Sequence, residues 1–234
     1  MPNSVTTAIR QMSGARFLYR PGTSDEEVLS PDYQRGRFFP PGYRVGAAQT
    51  IIDVGAHIGA FAVVAAQQAI DGVVYAVEPS RESFAILVAN VALNGLTNVR
   101  PIRTALSGAS GPAVLYHATE NWAHSLTIRE PGTDGGEPVL AMTLETFLAE
   151  HSLSHVDFLK MNAEGAEYGV LLTARRAVLG VLSAMLIECH PVDGRPAEEI
   201  VDRLRESGFV VQTDWSYDEP GKGWITATRS PLGA

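Results

Sequence analysis

The sequence predicts an α/β fold built on a doubly wound, mostly parallel sheet. Three observations carry this. Short, nearly continuous apolar runs alternate with helical patterns from Gln49 onward, as expected of central strands buried on both faces. Each pair of runs is spaced for a right-handed βαβ crossover. The last two runs are instead separated by a short turn and read as an antiparallel pair.

Taken in order, the strands fall at 50–55 (TIIDVG), 73–78 (VVYAVE), 98–106 (NVRPIRTAL), 156–162 (VDFLKMN) and 183–190 (SAMLIECH). FVVQTD (209–214) and WITATR (224–229) follow, around a Pro-Gly-Lys-Gly turn. Helical patterns occupy 58–70, 80–94, 143–151, 165–179 and 195–207. Ser80 reads as an N-cap and Asn94-Gly95 as a stop for the second of these. Residues 1–47 carry prolines at 21, 31, 40 and 41 among several aromatics. They are expected to form an irregular, partly helical segment covering the active site of a Rossmann-like domain at 48–234. The span 107–142 is expected to be an insertion or lid, with a short hairpin pairing PAVLYHA with SLTIRE.

The chain has 234 residues, 45% hydrophobic and 19% charged, an ordinary globular balance. Eighteen basic against 26 acidic residues give a net charge of −8, which disfavours nucleic acid as a partner. No apolar run reaches the length of a membrane span, and the N-terminus lacks the apolar region of a secretory signal. A cytoplasmic enzyme acting on small molecules is the expectation. With Cys189 the single cysteine, no intramolecular disulfide and no cysteine-based zinc site can form.

The strongest local signal is IIDVGAHIGAF, 51–61. A buried strand ends at Asp53, turns on Gly55 and enters a helix near Gly59, so the backbone can approach a ligand. Glu78 closes the second strand, where an acid can accept hydrogen bonds from both hydroxyls of an adenosine ribose. The first turn lacks the Gly-x-Gly-x-x-Gly spacing that seats a pyrophosphate. Asp53 suits an ammonium group instead, so a methyl donor, S-adenosylmethionine, fits better than a dinucleotide.

Past the fourth strand, LKMNAEGAE brings Asn162, Glu164 and Glu167 to the end of the sheet where ligands bind. Glu164 is expected to face a methyl acceptor and is, with His190, a candidate base, and Glu167 is expected to be structural. Lys160, inside the strand, calls for a carboxylate partner. His190, ending the fifth strand, is a candidate base near neutral pH. His124 in the insertion is a further catalytic candidate, with Trp122 as a wall. No histidine spacing supports a metal site, and none is expected.

Together, IIDVGAHIGAF, VYAVEPSRESFAILVANVALNGLTNVRPIRTALS, DFLKMNAEGAEYGVL and MLIECH resemble the FkbM-type S-adenosylmethionine-dependent methyltransferases. The resemblance runs from about Asp25 to His190. It implies the class I methyltransferase sheet, with six strands parallel, one antiparallel and helices on both faces. It also implies O-methylation of a small-molecule hydroxyl or carboxyl on a sugar or natural product, within secondary metabolism. By the same resemblance, Asp53, Gly55 and Ala56 would line the methionine end, Glu78 and Ser80 the ribose, and Ala105 the adenine. His57 and Asn162 stand at cofactor positions where the family usually has asparagine and aspartate; the amide of Asn162 cannot act as a base. N-methylation, another use of S-adenosylmethionine, a non-catalytic cofactor-binding module and a homodimer all stay open.

Overall fold

The computed structural model describes residues 6–229 apart from 35–36, 134, 193, 216 and 218–220. Two strands, β1 (Ala8–Met12) and β2 (Ala15–Tyr19), open the described chain as an antiparallel hairpin. Ser13 and Gly14 both adopt positive φ between them, the geometry that two-residue hairpin turns require. Single-turn helices α1 (Asp25–Val28) and α2 (Pro31–Gln34) follow.

The main sheet is built from β3 (Thr50–Val54), β4 (Val73–Val77) and β5 (Val99–Ile102), with helix α3 (Ala60–Gln68) after β3 and α4 (Arg81–Leu93) after β4. A small sheet then forms from β6 (Ala105–Leu106), β7 (Gly111–Tyr116) and β8 (Gly136–Met142). Helix α5 (Leu144–Glu150) leads to β9 (Val156–Met161), and α6 (Ala166–Thr173) and α7 (Arg176–Leu179) lead to β10 (Leu182–Cys189). Helix α8 (Glu198–Glu206), β11 (Val210–Asp214) and β12 (Gly223–Thr228) complete the chain.

The seven strands are ordered β11-β12-β10-β9-β3-β4-β5, with β12 alone antiparallel to the rest. Alternation along each strand divides the core. Ile52, Val54, Leu159 and Met161 face α5, α6 and α8, whereas Ile51 and Phe158 face α3, α4 and the N-terminal aromatics. No helix of the described residues is long and apolar enough to cross a membrane.

Four expectations change. The N-terminal segment holds a hairpin as well as short helices, because α4 offers β2 polar partners. Asn90, fully buried, accepts the Leu18 N–H and donates to the Leu18 and Ile58 carbonyls, and Asn94 bonds Arg16 in the same way. The run 98–106 breaks into β5 and β6, where the Thr104 hydroxyl donates to the Leu140 carbonyl. PAVLYHA pairs with β8 in place of SLTIRE, which meets it at the Tyr116–Ser125 bridge and where Arg129 lies over the Tyr116 ring. The helix expected over 165–179 also divides, with Ala174 and Arg175 extended between α6 and α7. Pro220 in the last turn lies outside the described residues, as do Met1–Val5 of the N-terminus read above.

Candidate active site

A cleft of about 870 Å³, its mouth included, opens at the carboxyl ends of β3, β4 and β9. Its base is the β3–α3 turn. Gly55, at φ +75°, has no room for a side chain: an added Cβ would lie 1.8 Å from the Asn162 carbonyl oxygen. The Gly55 and Ala56 N–H groups both donate to the Val77 carbonyl at 3.0 Å, so the turn folds over the end of β4. Gly55, Ala56, His57, Glu78, Ala105 and Asn162 all line the cleft.

Glu78 is nearly buried, and its carboxylate accepts the His57 and Ser80 N–H groups at 2.8 Å each. Burial raises its pKa to about 7 against the opposing pull of those two bonds. A carboxylate has about four acceptor sites, so two stay available towards the cleft. Ser80 is not on the cleft wall. Its hydroxyl caps α4 by accepting the Ser83 N–H, which places it behind Glu78.

Asp53 is also absent from the wall. It is fully buried, directly across from Lys160 in the β3–β9 register, with Oδ1 3.4 Å from the Lys160 ammonium. Burial pushes its pKa up, against the pull of Lys160. Lys160 thus has its carboxylate partner. Asp53 meets an ammonium group, but it is that of Lys160 through Oδ1, while Oδ2 is buried without a protein partner; being off the wall, Asp53 is not placed to touch a ligand directly.

Two polar atoms of the lining residues are buried without any protein partner, His57 Nδ1 and Asn162 Oδ1. Beside Glu78, they add two acceptors to a wall that also carries the Lys160 ammonium. These acceptors fit a ligand rich in donors, as the ribose and methionine ends of S-adenosylmethionine are.

At the other end of the cleft lies Glu164. Its backbone is left-handed, φ +49°, a strained state for a non-glycine residue. The insertion holds it there: its carbonyl accepts the Ser125 hydroxyl at 2.5 Å and the Thr127 hydroxyl at 3.3 Å. Burial lifts the Glu164 pKa to about 7, with His190 pulling it down and Glu167 and Glu188 pushing it up.

His190 is 4% exposed and lies behind the wall. Its Nε2 is 3.3 Å from Glu164 and its Nδ1 is 3.1 Å from Glu167. Burial lowers its pKa, but Glu167, Glu164 and Glu188 outweigh this and hold it at about 9. The flanking carboxylates favour the protonated ring, with both nitrogens donating, so of the two candidate bases, His190 and Glu164, His190 is the less suited. Glu167, fully buried, also accepts the Ala163 and Gly165 N–H groups. It is the structural residue of the turn.

His124 lines the cleft, and its Nδ1 accepts the Ala118 N–H at 3.1 Å. Burial and the neighbouring His117 lower its pKa to about 4. Its remaining nitrogen carries hydrogen, so His124 is a donor and not a base. Tyr33 and Trp122 stack at 5.7 Å and, with Phe38, form an aromatic wall. Tyr33 and Phe38 had no visible role in the sequence, because only the folding-over of the N-terminal segment brings them here. Among the described residues, no group of three or more His, Cys, Asp or Glu is placed to hold a metal ion. Cys189 is buried against the Tyr168 hydroxyl, its pKa pushed up by burial to about 11, and is inert packing.

Comparison with known proteins agrees with this layout. The model of the family described as Methyltransferase FkbM domain matches residues 53–211. The 31-O-demethyl-FK506 methyltransferase FkbM of Streptomyces tacrolimicus is 28% identical, over 90% of this chain and 88% of its own. Among solved structures, Methyltransferase FkbM from Methylobacillus flagellatus KT superposes with a TM-score of 0.55 at 15% identity, covering 87% of this chain and 53% of that one. Aeropyrum pernix fibrillarin, with natively bound S-adenosyl-L-methionine, gives 0.50 at 13% identity, covering 97% of this chain and 85% of its own. These two establish the fold alone. With a glycine turn at β3, an acid closing β4 and a match across more than half its length, the chain belongs to the FkbM methyltransferase family.

Proposed function

We propose that the protein moves a methyl group from S-adenosylmethionine to the hydroxyl of a small, apolar-bodied acceptor, with Glu164 as general base. The observation that carries this reading is a cleft-wall carboxylate lifted to about 7, the range in which a base works best at neutral pH. The aromatic wall of Tyr33, Trp122 and Phe38 supports an acceptor with an apolar face. The net charge of −8 supports a small molecule over nucleic acid, and we place the enzyme in the cytoplasm.

When bound, S-adenosylmethionine supplies a methyl group on a positively charged sulfur, open to in-line displacement. Glu78 would hold the ribose hydroxyls through its two free acceptor sites, Ala105 would offer backbone to the adenine, and Asn162 would face the methionine end. Glu164 would take the hydroxyl proton as the acceptor oxygen attacks. His190, protonated between Glu164 and Glu167, keeps the Glu164 carboxylate aligned. Holding acceptor and methyl in line can contribute ~7–11 kcal/mol.

Mass spectrometry over a panel of hydroxylated acceptors tests this reading, by looking for products heavier by one methylene. Products methylated on nitrogen alone would overturn it. Two further outcomes are expected. Glu78→Ala should weaken binding of S-adenosylhomocysteine by ~1.5–3 kcal/mol, the range for hydrogen bonds to a charged group. Unchanged affinity by calorimetry would discard the ribose assignment. Because Asn162 stands where a carboxylate would ligate a hard cation, turnover should survive a chelator. Activity lost with chelator and restored by magnesium would refute this.

A further inference from the structure

Asp25, in the N-terminal segment, is fully buried and belongs to none of the motifs. Its Oδ2 accepts the Arg20 backbone N–H at 2.8 Å and the Arg20 Nε–H at 2.9 Å. Its Oδ1 accepts Arg20 Nη2–H at 2.8 Å and Asn121 Nδ2–H at 2.7 Å, and lies 3.1 Å from His57 Nε2. One carboxylate therefore ties the N-terminal segment, the insertion and the β3–α3 turn together.

Counting hydrogens fixes the state of His57. Arg20 Nη2 carries two, and they go to Asp25 Oδ1 and to the Ser83 hydroxyl at 3.1 Å. His57 Nε2, 3.3 Å away, is the most distant of the three neighbours of Arg20 Nη2, and a bare Nε2 would face the Asp25 oxygen at 3.1 Å, lone pair to lone pair. Nε2 must then carry the hydrogen and donate it to Asp25. Burial holds the His57 pKa below its ordinary value, so the ring is neutral and its lone pair sits on Nδ1. That nitrogen is buried, has no protein partner and belongs to a residue of the cleft wall.

We propose that Asp25 is a positioning residue for the cofactor: by holding His57 as the Nε2–H tautomer, it presents the Nδ1 lone pair to the α-ammonium of the methionine end. This rests on the reading of the cleft as an S-adenosylmethionine site. Glu78 serves the ribose, and Asp53, paired to Lys160 through Oδ1, is not on the wall. The unpartnered acceptors left on the wall are His57 Nδ1 and Asn162 Oδ1, both neutral. Buried acceptors of this kind are satisfied by a donor, and the ammonium brings three.

The test compares S-adenosylhomocysteine with 5′-methylthioadenosine, which keeps the nucleoside and lacks the amino-acid end. Titration calorimetry on Asp25→Asn and His57→Phe should show ~10–100-fold weaker binding of S-adenosylhomocysteine, with 5′-methylthioadenosine unaffected. Histidine ¹⁵N NMR of the wild type should show the Nε2–H tautomer, with the Nδ1 resonance moving when S-adenosylhomocysteine is added and staying put with 5′-methylthioadenosine. Should Asp25→Asn fail to fold, His57→Phe and the spectrum decide. Equal losses for both ligands, undiminished S-adenosylhomocysteine affinity in His57→Phe, or a protonated Nδ1 would each overturn the proposal. A wild type that binds neither ligand would overturn the cofactor site itself.

Discussion

Replacing Glu164 by glutamine is expected to lower kcat by ~10²–10⁴-fold, the contribution of a positioned general base, with S-adenosylhomocysteine affinity unchanged. The pH dependence follows from the direction of the shift. The working form is the carboxylate, and burial raises its pKa from the ordinary 4.5 to about 7. Wild-type kcat should therefore be level above that value and fall towards acid, with one proton taken up. His190→Gln removes the positive charge 3.3 Å away that favours ionised Glu164. Its acid limb should move to higher pH while much of the plateau rate survives. If His190→Gln abolished turnover and Glu164→Gln stayed within a few-fold of wild type, the roles assigned to the two residues would have to be exchanged. An acid limb near 4.5 would show that Glu164 is not desolvated during turnover.

Lys160→Met is expected to destabilise the fold by ~3–5 kcal/mol, because it leaves the Asp53 carboxylate buried without its partner. The pair lies on the two central strands, with Asp53 fully buried and Lys160 between it and the cleft. Urea denaturation at neutral pH measures the loss. The deficit should shrink as pH falls, since a protonated Asp53 is far cheaper to bury. Asp53→Asn combined with Lys160→Met should recover much of the stability, as paired polar or apolar replacements of buried ion pairs often do. A single variant within ~0.5 kcal/mol of wild type, as an ordinary surface change would be, would mean that Asp53 is not charged in the folded protein.

The main sheet was legible because buried parallel strands announce themselves as short apolar runs, and a strand's end fixes where its next residues lie. That is why Gly55, Glu78, Asn162 and Glu164 were found at the cleft from pattern alone. The β1–β2 hairpin was signalled by Ser13-Gly14 between two alternating runs, but the prolines downstream masked it. Strand β8 was obscured by Pro138 and by a partner, β7, some twenty residues away. The state of His190 could not be read, since it depends on carboxylates from a different element closing on both nitrogens. Asp53 misled for a similar reason. Its position at a strand end suited a ligand, yet the cross-strand register delivers Lys160 to it. Asp25 and Tyr33 carry no local signal, because their partners lie far along the chain.

The register of β3 against β9 also bears on how the chain reaches its fold. The Thr50 N–H donates to the Asp157 side chain, 107 positions away, and β9 is the central strand of the sheet with β3 beside it. Closing a loop of that length costs about 4 kcal/mol of chain entropy before any contact offsets it. On the ribosome, β3 can pair with β4 early, but its other edge stays bare until β9 has emerged. Half-made chains therefore expose an apolar strand edge, the condition under which nascent proteins aggregate or engage chaperones. Refolding from denaturant should accordingly be slow for a domain of this size, as topologies dominated by distant strand pairing are.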